Sequence, residues 1–268
     1  MMPLIYKPII QYVVEELVEA GITDIIIVGN SNKRSIEDHF DLPSEELLVN
    51  LRAGGEKKAH FIEEINAIAT MANFVYIRQK GPYGNATPLL CAAHLLSDDE
   101  PFIYTFADDF FASNPGSTMQ LIETYKHYQG SVLACKKVEK DAEYDKYGIA
   151  AGAIVEDGVL KVDHIDEKPG KDRAQSDLAS VSEYLFVPEM IAYLKQLEAN
   201  YDGVGELTFQ PAVQQMIDDG FDIYARQIKN GKFYDTGDKL EYLKTIIDFG
   251  LAHKSLGEDL RNYIKTKI

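Results

Sequence analysis

Pro8-Ile-Ile-Gln-Tyr-Val-Val-Glu-Glu-Leu-Val-Glu-Ala-Gly-Ile-Thr-Asp-Ile-Ile-Ile-Val28 changes its apolar period part-way, and that change decides the fold. Ile9, Ile10, Val13, Val14, Leu17 and Val18 recur at helical spacing. Pro8 suits a first turn and Gly21 a stop, so a helix is predicted over residues 8–20. Residues 24–28 are then short and almost wholly apolar, as in a strand covered on both faces. Working outward, the same alternation returns. Strands are predicted at 73–78, 102–107 and 131–138, with helices at 44–52, 56–72, 87–96 and 117–128, the last capped by Ser117. Ser35-Ile-Glu-Asp38 has the form of a capping box and opens a short helix. Alternating strands and helices imply βαβ units and a mainly parallel sheet.

Past residue 150 the pattern changes. Glu156-Asp157-Gly158 and Asn230-Gly231 are hairpin signals between strand-like runs, 152–155 with 159–165 and 222–228 with 233–235. A strand at 181–186, helices at 188–198 and 208–219, and a helical stretch from Asp238 complete the chain. The later strands are therefore expected to be antiparallel.

The chain has 268 residues, 46% hydrophobic and 26% charged, which suits one α/β domain able to bury a sizeable core. No run is apolar for the roughly 20 residues that a bilayer demands, and the first residues lack a basic region such as a secretion signal carries. A cytoplasmic protein without membrane partners is expected. Cys91 and Cys135 each sit in an apolar run, so two buried thiols are expected rather than a disulfide. The net charge of −16 repels phosphate backbones and argues against nucleic acid. An anionic substrate would need a divalent metal or a few aimed lysines.

Four segments offer such help. Asp108 in Phe106-Ala-Asp-Asp109 follows an apolar strand, where ligands of open α/β sheets sit, and a carboxylate there suits Mg²⁺. Asp235 in Phe233-Tyr-Asp-Thr-Gly237 stands at another strand end, and the two could share one ion. In Asp166-Glu-Lys-Pro169, Glu167 could accept from sugar hydroxyls and Lys168 could neutralise a phosphate. In Arg78-Gln-Lys-Gly-Pro-Tyr-Gly-Asn85, Gln79 has donor and acceptors for a base edge; Gly81 and Gly84 let a ligand approach the backbone. Each segment alone would also serve as a polar turn or a helix entry.

Their order, together with Lys7-Pro-Ile-Ile-Gln-Tyr-Val-Val-Glu-Glu16, Ala20–Val28, Ser35–Asp41, Tyr147-Gly148 and the run from Phe233 to Thr245, resembles the bacterial UTP–glucose-1-phosphate uridylyltransferases of the sugar-1-phosphate nucleotidyltransferase family. The resemblance spans nearly the whole chain. It implies a Rossmann-like α/β/α sandwich with a mixed, mainly parallel sheet, and one nucleotidyltransferase domain over residues 1–268. It implies the conversion of UTP and glucose 1-phosphate to UDP-glucose and pyrophosphate with Mg²⁺. Gln79 and Gly84 would contact uracil; Asp108 and Asp235 would hold the metal. Gly148 and Glu167 would hold glucose, and Lys168 its phosphate. Relatives are commonly oligomeric, and Leu240, Leu243, Ile246 and Ile247 offer an apolar helix face, so self-association is expected.

The chain also departs from the family pattern. The first strand and its G-x-G-T-R loop have no counterpart, so a chain truncated at its start and impaired in catalysis is expected. Gly84-Asn-Ala-Thr87 stands where relatives read G-L-G-H, and Ser182-Glu183 where Gly-Arg is common. A weakly catalytic sugar-nucleotide binder and a thymidylyltransferase are the alternatives.

Overall fold

The computed structural model describes residues 1–267. A two-residue ribbon, β1 (Pro3–Leu4) with β2 (Lys7–Pro8), leads into α1 (Ile9–Glu19). This helix buries Ile9, Ile10, Val13, Val14 and Leu17, the apolar stripe of the sequence. Each such side chain is worth about 1.5–3 kcal/mol of transfer free energy. β3 (Asp24–Gly29) follows, then α2 (Arg34–Phe40), α3 (Glu45–Ala53), α4 (Glu56–Ala69) and β4 (Asn73–Arg78). β3 and β4 pair in parallel, in register from Asp24↔Asn73 to Gly29↔Arg78.

The chain continues through α5 (Ala86–Ala92), β5 (Phe102–Thr105), β6 (Asp109–Ser113), α6 (Ser117–Tyr128) and β7 (Ser131–Lys137). After a single 3₁₀ turn come β8 (Gly148–Glu156), β9 (Val159–Glu167), β10 (Leu178–Phe186), α7 (Met190–Ala199) and α8 (Gln210–Asp218). β11 (Ile223–Gln227), β12 (Gly231–Asp235), α9 (Lys239–Ala252) and α10 (Gly257–Lys265) complete it.

The main sheet has the order β5-β10-β7-β11-β9-β8. It is mixed, as expected, but its parallel share is smaller than the βαβ pattern suggested. β10 slots antiparallel between β5 and β7, so the only parallel ladder in this sheet is β7 with β11. The sheet is also divided: β3 is hydrogen-bonded only to β4, and β5 only to β10. Ile103 of β5 nevertheless packs into the same apolar cluster as Ile25 and Ile27 of β3. Side chains therefore join the two sheets where no ladder does.

Local signals failed in three places. Glu156–Gly158 makes the expected hairpin, β8 with β9. Asn230-Gly231 does not: β11 pairs with β7 and β9, while β12 leaves to pair with β6. Asn230 takes a positive φ of 56°, as an Asn-Gly turn allows, and its carbonyl accepts from the Asn114 amide at 3.2 Å. The turn chemistry was legible, but the strand partner was set by the distant β6. Ser35 does not cap α2; Lys33 precedes that helix without a side-chain cap. Ser117 is likewise the first residue of α6 rather than its cap, because its hydroxyl serves the buried Glu183 and the half-buried Glu16. Cys135 is fully buried and Cys91 half-buried, where its thiol meets the Lys80 carbonyl at 3.3 Å.

Candidate active site

The pairing of β6 with β12 builds the acidic centre. Asp109 lies directly across from Asp235. The amide of Thr236 donates to the Asp108 carbonyl at 3.1 Å, and the Thr236 hydroxyl donates to the same oxygen. The two aspartates singled out on separate strands are thus brought together. A Cβ placed on Gly237 would lie 3.4 Å from Asp235 Oδ1 and 3.6 Å from Asp108 Oδ2, so a glycine leaves both oxygens open to one small space.

Crowded carboxylates raise one another's proton affinity. Burial, and then the charge of Asp235, pushes the Asp108 carboxyl above its usual range; Lys33 draws it partly back. Asp109 is pushed up to about 8, by burial first and by Asp108 and Asp235 next. Its Oδ1 is buried without a hydrogen-bond partner. Lys146 answers part of this charge, with its ammonium 2.5 Å from Asp235 Oδ2. Two convergent carboxylates, an orphaned carboxylate oxygen and a glycine-lined space are a donor set suited to a hard divalent cation, which takes oxygen ligands and leaves positions for phosphates. Among the described residues no cluster of three or more His, Cys, Asp or Glu forms a self-sufficient metal cage. A cation here would have to share its coordination with substrate.

Beside this centre lie the other residues drawn from the sequence. Gly148 on β8 faces Glu167 on β9, and a Cβ at Gly148 would approach Glu167 Oε2 to 3.1 Å. Lys168 takes a positive φ of 48°, and its amide donates to the Tyr147 carbonyl at 3.2 Å. Its ammonium stands 3.5 Å from Glu167, and both side chains are exposed. Tyr147 reaches back with its hydroxyl 3.4 Å from Asp235 Oδ2. Gly148, Glu167, Lys168 and the acidic pair therefore form one continuous surface.

Gln79 and Gly84 occupy a separate cleft of about 460 Å³, together with Asn30, Tyr83, Tyr104, Phe106 and Glu206. Tyr104 and Phe106 precede Asp108 along the same strand end, and that is what joins cleft to acidic centre. Gly84 has a second duty. At φ 142° it packs on Leu207 so tightly that a Cβ would sit 2.1 Å from the Leu207 carbonyl oxygen.

A chain so folded matches the sequence profile of the nucleotidyl transferase family over residues 1–249. It belongs to that family. Among relatives of this nucleotidyltransferase, the UTP–glucose-1-phosphate uridylyltransferase of Bacillus subtilis strain 168 is 36% identical over 260 residues, covering 97% of this chain and 86% of the relative. The UTP-bound enzyme from Acinetobacter baumannii superposes with a TM-score of 0.84 at 30% identity, over 98% of this chain and 90% of the other. A UDP-glucose pyrophosphorylase complexed with UDP-glucose gives 0.79 at 31%, over 93% and 89%.

Sequence reasoning missed several residues that the fold brings to this nucleotidyltransferase's site. Lys33 reaches the field of Asp108 from the loop after β3, and Lys146 grips Asp235. Neither stood in a segment flagged for chemistry; only the search for aimed lysines could have raised them. Glu183, without explanation at the sequence level, lies outside the site. It is buried and accepts from Ser117 Oγ at 2.7 Å and from the Thr118 hydroxyl, while Glu16 Oε1 accepts the Thr118 amide at 2.8 Å and so satisfies the start of α6. Ser117 Oγ also stands 2.9 Å from Glu16 Oε1. One hydroxyl proton cannot serve two carboxylates, so the second contact needs a proton from a carboxyl. Burial, and then the charge of Glu16, raises Glu183 to about 8 accordingly.

Proposed function

We propose that residues 1–268 form one nucleotidyltransferase domain that transfers the uridylyl group from UTP to glucose 1-phosphate, giving UDP-glucose and pyrophosphate. The observation that carries the reading is the β6–β12 register, which sets Asp108 and Asp235 around one space beside the cleft holding Gln79. The names of the relatives agree with it. In the reaction a phosphate oxygen of the sugar phosphate attacks the α-phosphorus of the nucleotide in line. An O–P bond forms, the bond to the β-phosphate oxygen breaks, and pyrophosphate leaves with that electron pair.

The protein's contribution is position and charge. Gln79 offers a donor and an acceptor to the uracil edge, and the backbone at Gly84 allows the base close approach. Glu167 accepts from glucose hydroxyls beside Gly148. Lys168 neutralises the sugar phosphate, and Lys33 and Lys146 supply positive charge toward the triphosphate. Asp108 and Asp235 would hold Mg²⁺, which when bound offsets charge on the phosphates. We further read the protein as cytoplasmic. We also expect it to self-associate through α9, where Leu240, Leu243 and Ile247 are 60, 57 and 44% exposed. Ile246, grouped with them in the sequence, packs inward instead.

The test is pyrophosphate release with UTP, glucose 1-phosphate and Mg²⁺. Turnover with UTP at least tenfold above that with dTTP supports the reading. A preference for dTTP, or for another sugar phosphate, would replace it. Light scattering at micromolar concentration checks association, and a monomer mass would remove that part.

A further inference from the structure

Glu206 belongs to none of the segments that suggested chemistry, yet it lines the same cleft as Gln79 and Gly84. Its backbone is fixed there by its neighbours. The Leu207 amide donates to the Tyr83 carbonyl at 2.8 Å, and the Leu207 carbonyl accepts from the Ala86 amide at 3.0 Å. The Phe209 amide donates to the Asn85 side-chain oxygen at 2.9 Å. Leu207 and Phe209 are 2% and 1% exposed, so both are anchored in the core. On the other side, the Tyr201 hydroxyl donates to the Gly205 carbonyl at 2.6 Å. The loop is thus stitched to the Gly84 turn, and the exposed Glu206 is held at the cleft beside it.

A carboxylate at this place needs a use. It repels phosphates, and in a chain of net charge −16 it makes an anionic ligand harder to hold. No ion pair among the described residues engages it. A carboxylate is an acceptor only, with two oxygens side by side. A nucleotide presents a matching pair of donors at one place, the vicinal 2′- and 3′-hydroxyls of ribose. The base edge carries a single N–H donor, and the phosphates carry none when ionised.

We propose that Glu206 accepts hydrogen bonds from the ribose 2′- and 3′-hydroxyls, and that it makes the site select ribonucleotides over 2′-deoxyribonucleotides. This rests on the reading of the cleft as the nucleoside site. A hydrogen bond to a charged group, when lost, changes affinity by roughly tenfold or more.

The experiment is calorimetric titration of the full chain with Mg²⁺-UTP and with Mg²⁺-dUTP, comparing wild type, Glu206→Ala and Glu206→Gln. Wild type should prefer UTP by about tenfold or more. Glu206→Ala should lose both bonds on UTP, about 100-fold, and only the 3′-hydroxyl bond on dUTP, about tenfold, so that the preference collapses. Glu206→Gln, which keeps one acceptor and the side-chain shape, should fall between. Equal losses on both nucleotides, or an unmoved UTP-to-dUTP ratio, would overturn the proposal while leaving the uridylyl reading intact. The same titrations with CTP and dCTP separate the two claims. If cytidine nucleotides bind better, yet their ribose preference still depends on Glu206, the uridylyl reading falls and the role of Glu206 stands. A wild-type chain that binds no nucleoside triphosphate overturns both.

Discussion

β10 buries every residue except Ser180, whereas β4 buries none of its six. The contrast extends to what surrounds them. β10 lies between β5 and β7, with helices of well-buried side chains nearby. β4 has one strand partner, β3, and the neighbouring α3 and α4 contain no buried residue. Val75 and Tyr76 of β4 stay 42 and 37% exposed. By composition Asn73–Arg78 and Leu178–Phe186 are both good strands, so the difference comes from coverage. It also divides the proposed site. Asp108, Asp235, Gly148, Glu167 and Lys168 stand in or beside the well-covered sheet and its β6–β12 extension. Asn30, Lys33 and Gln79 ride on the strand ends of the thinly covered pair. A nucleotide held in the cleft would therefore join a firm surface to a softer one.

The largest expected effect is on the firm side. Asp108→Asn should lower Mg²⁺-dependent pyrophosphate release by at least about 100-fold, as removal of a charge-stabilising group commonly does. Unchanged turnover would place the metal elsewhere. The contrast itself is tested by amide exchange. Buried, doubly paired amides of β7 and β10 should exchange at least about 100-fold more slowly than those of β3 and β4. Equal protection would mean that the two regions open together and that coverage does not set their stability. Lys33→Ala probes the softer side: UTP binding should weaken about tenfold, while glucose 1-phosphate binding changes less than about twofold. Loss of both would show that Lys33 serves the fold or the sugar phosphate.

Core substitutions should follow the same divide. Leu133→Ala on β7, at 0% exposure, should cost about 2–5 kcal/mol in denaturant unfolding. Val75→Ala on β4 should cost about 0.5 kcal/mol or less. Similar costs at the two positions would break the comparison. A further effect concerns the glutamate pair beside α6. A carboxyl raised from its ordinary 4.5 to about 8 in the folded chain binds a proton there that the unfolded chain releases. Its stabilisation is complete below about pH 4.5 and is lost as pH rises toward 8. Melting temperature should therefore fall by several degrees across that window, and Glu183→Gln should flatten part of the decline. Asp109, raised to about 8 by burial first and by Asp108 and Asp235 next, adds a slope of the same sign. An identical pH profile in the variant would show that the Glu16–Glu183 pair holds no shared proton.

Much of this fold was legible because its elements carry their own period. The stripe of α1 and the apolar run of β3 were each visible in the residues, and so was the turn at Gly158. So were the candidate ligands, because a carboxylate just past an apolar strand occupies a place that open sheets give to ligands. What could not be read was anything settled between distant segments. Asn230-Gly231 has the composition of a hairpin, but β12 bonds to β6, more than a hundred residues upstream. Ser117 looked like a cap and instead shares its hydroxyl with Glu16 and Glu183. Glu206, Lys33 and Lys146 carry no local signature, since their meaning comes from loops and strand ends brought alongside from elsewhere.

By itself the sequence determined the alternation of helices and strands, the apolar faces, and the set of carboxylates and lysines available for chemistry, because these depend on side-chain type and spacing along one segment. Only the tertiary structure decided which strands pair, which carboxylates share a space, and which glutamate lies in the core while another lines the cleft. Those outcomes depend on hydrogen bonds and fields between residues far apart in the chain, and local composition is silent about them.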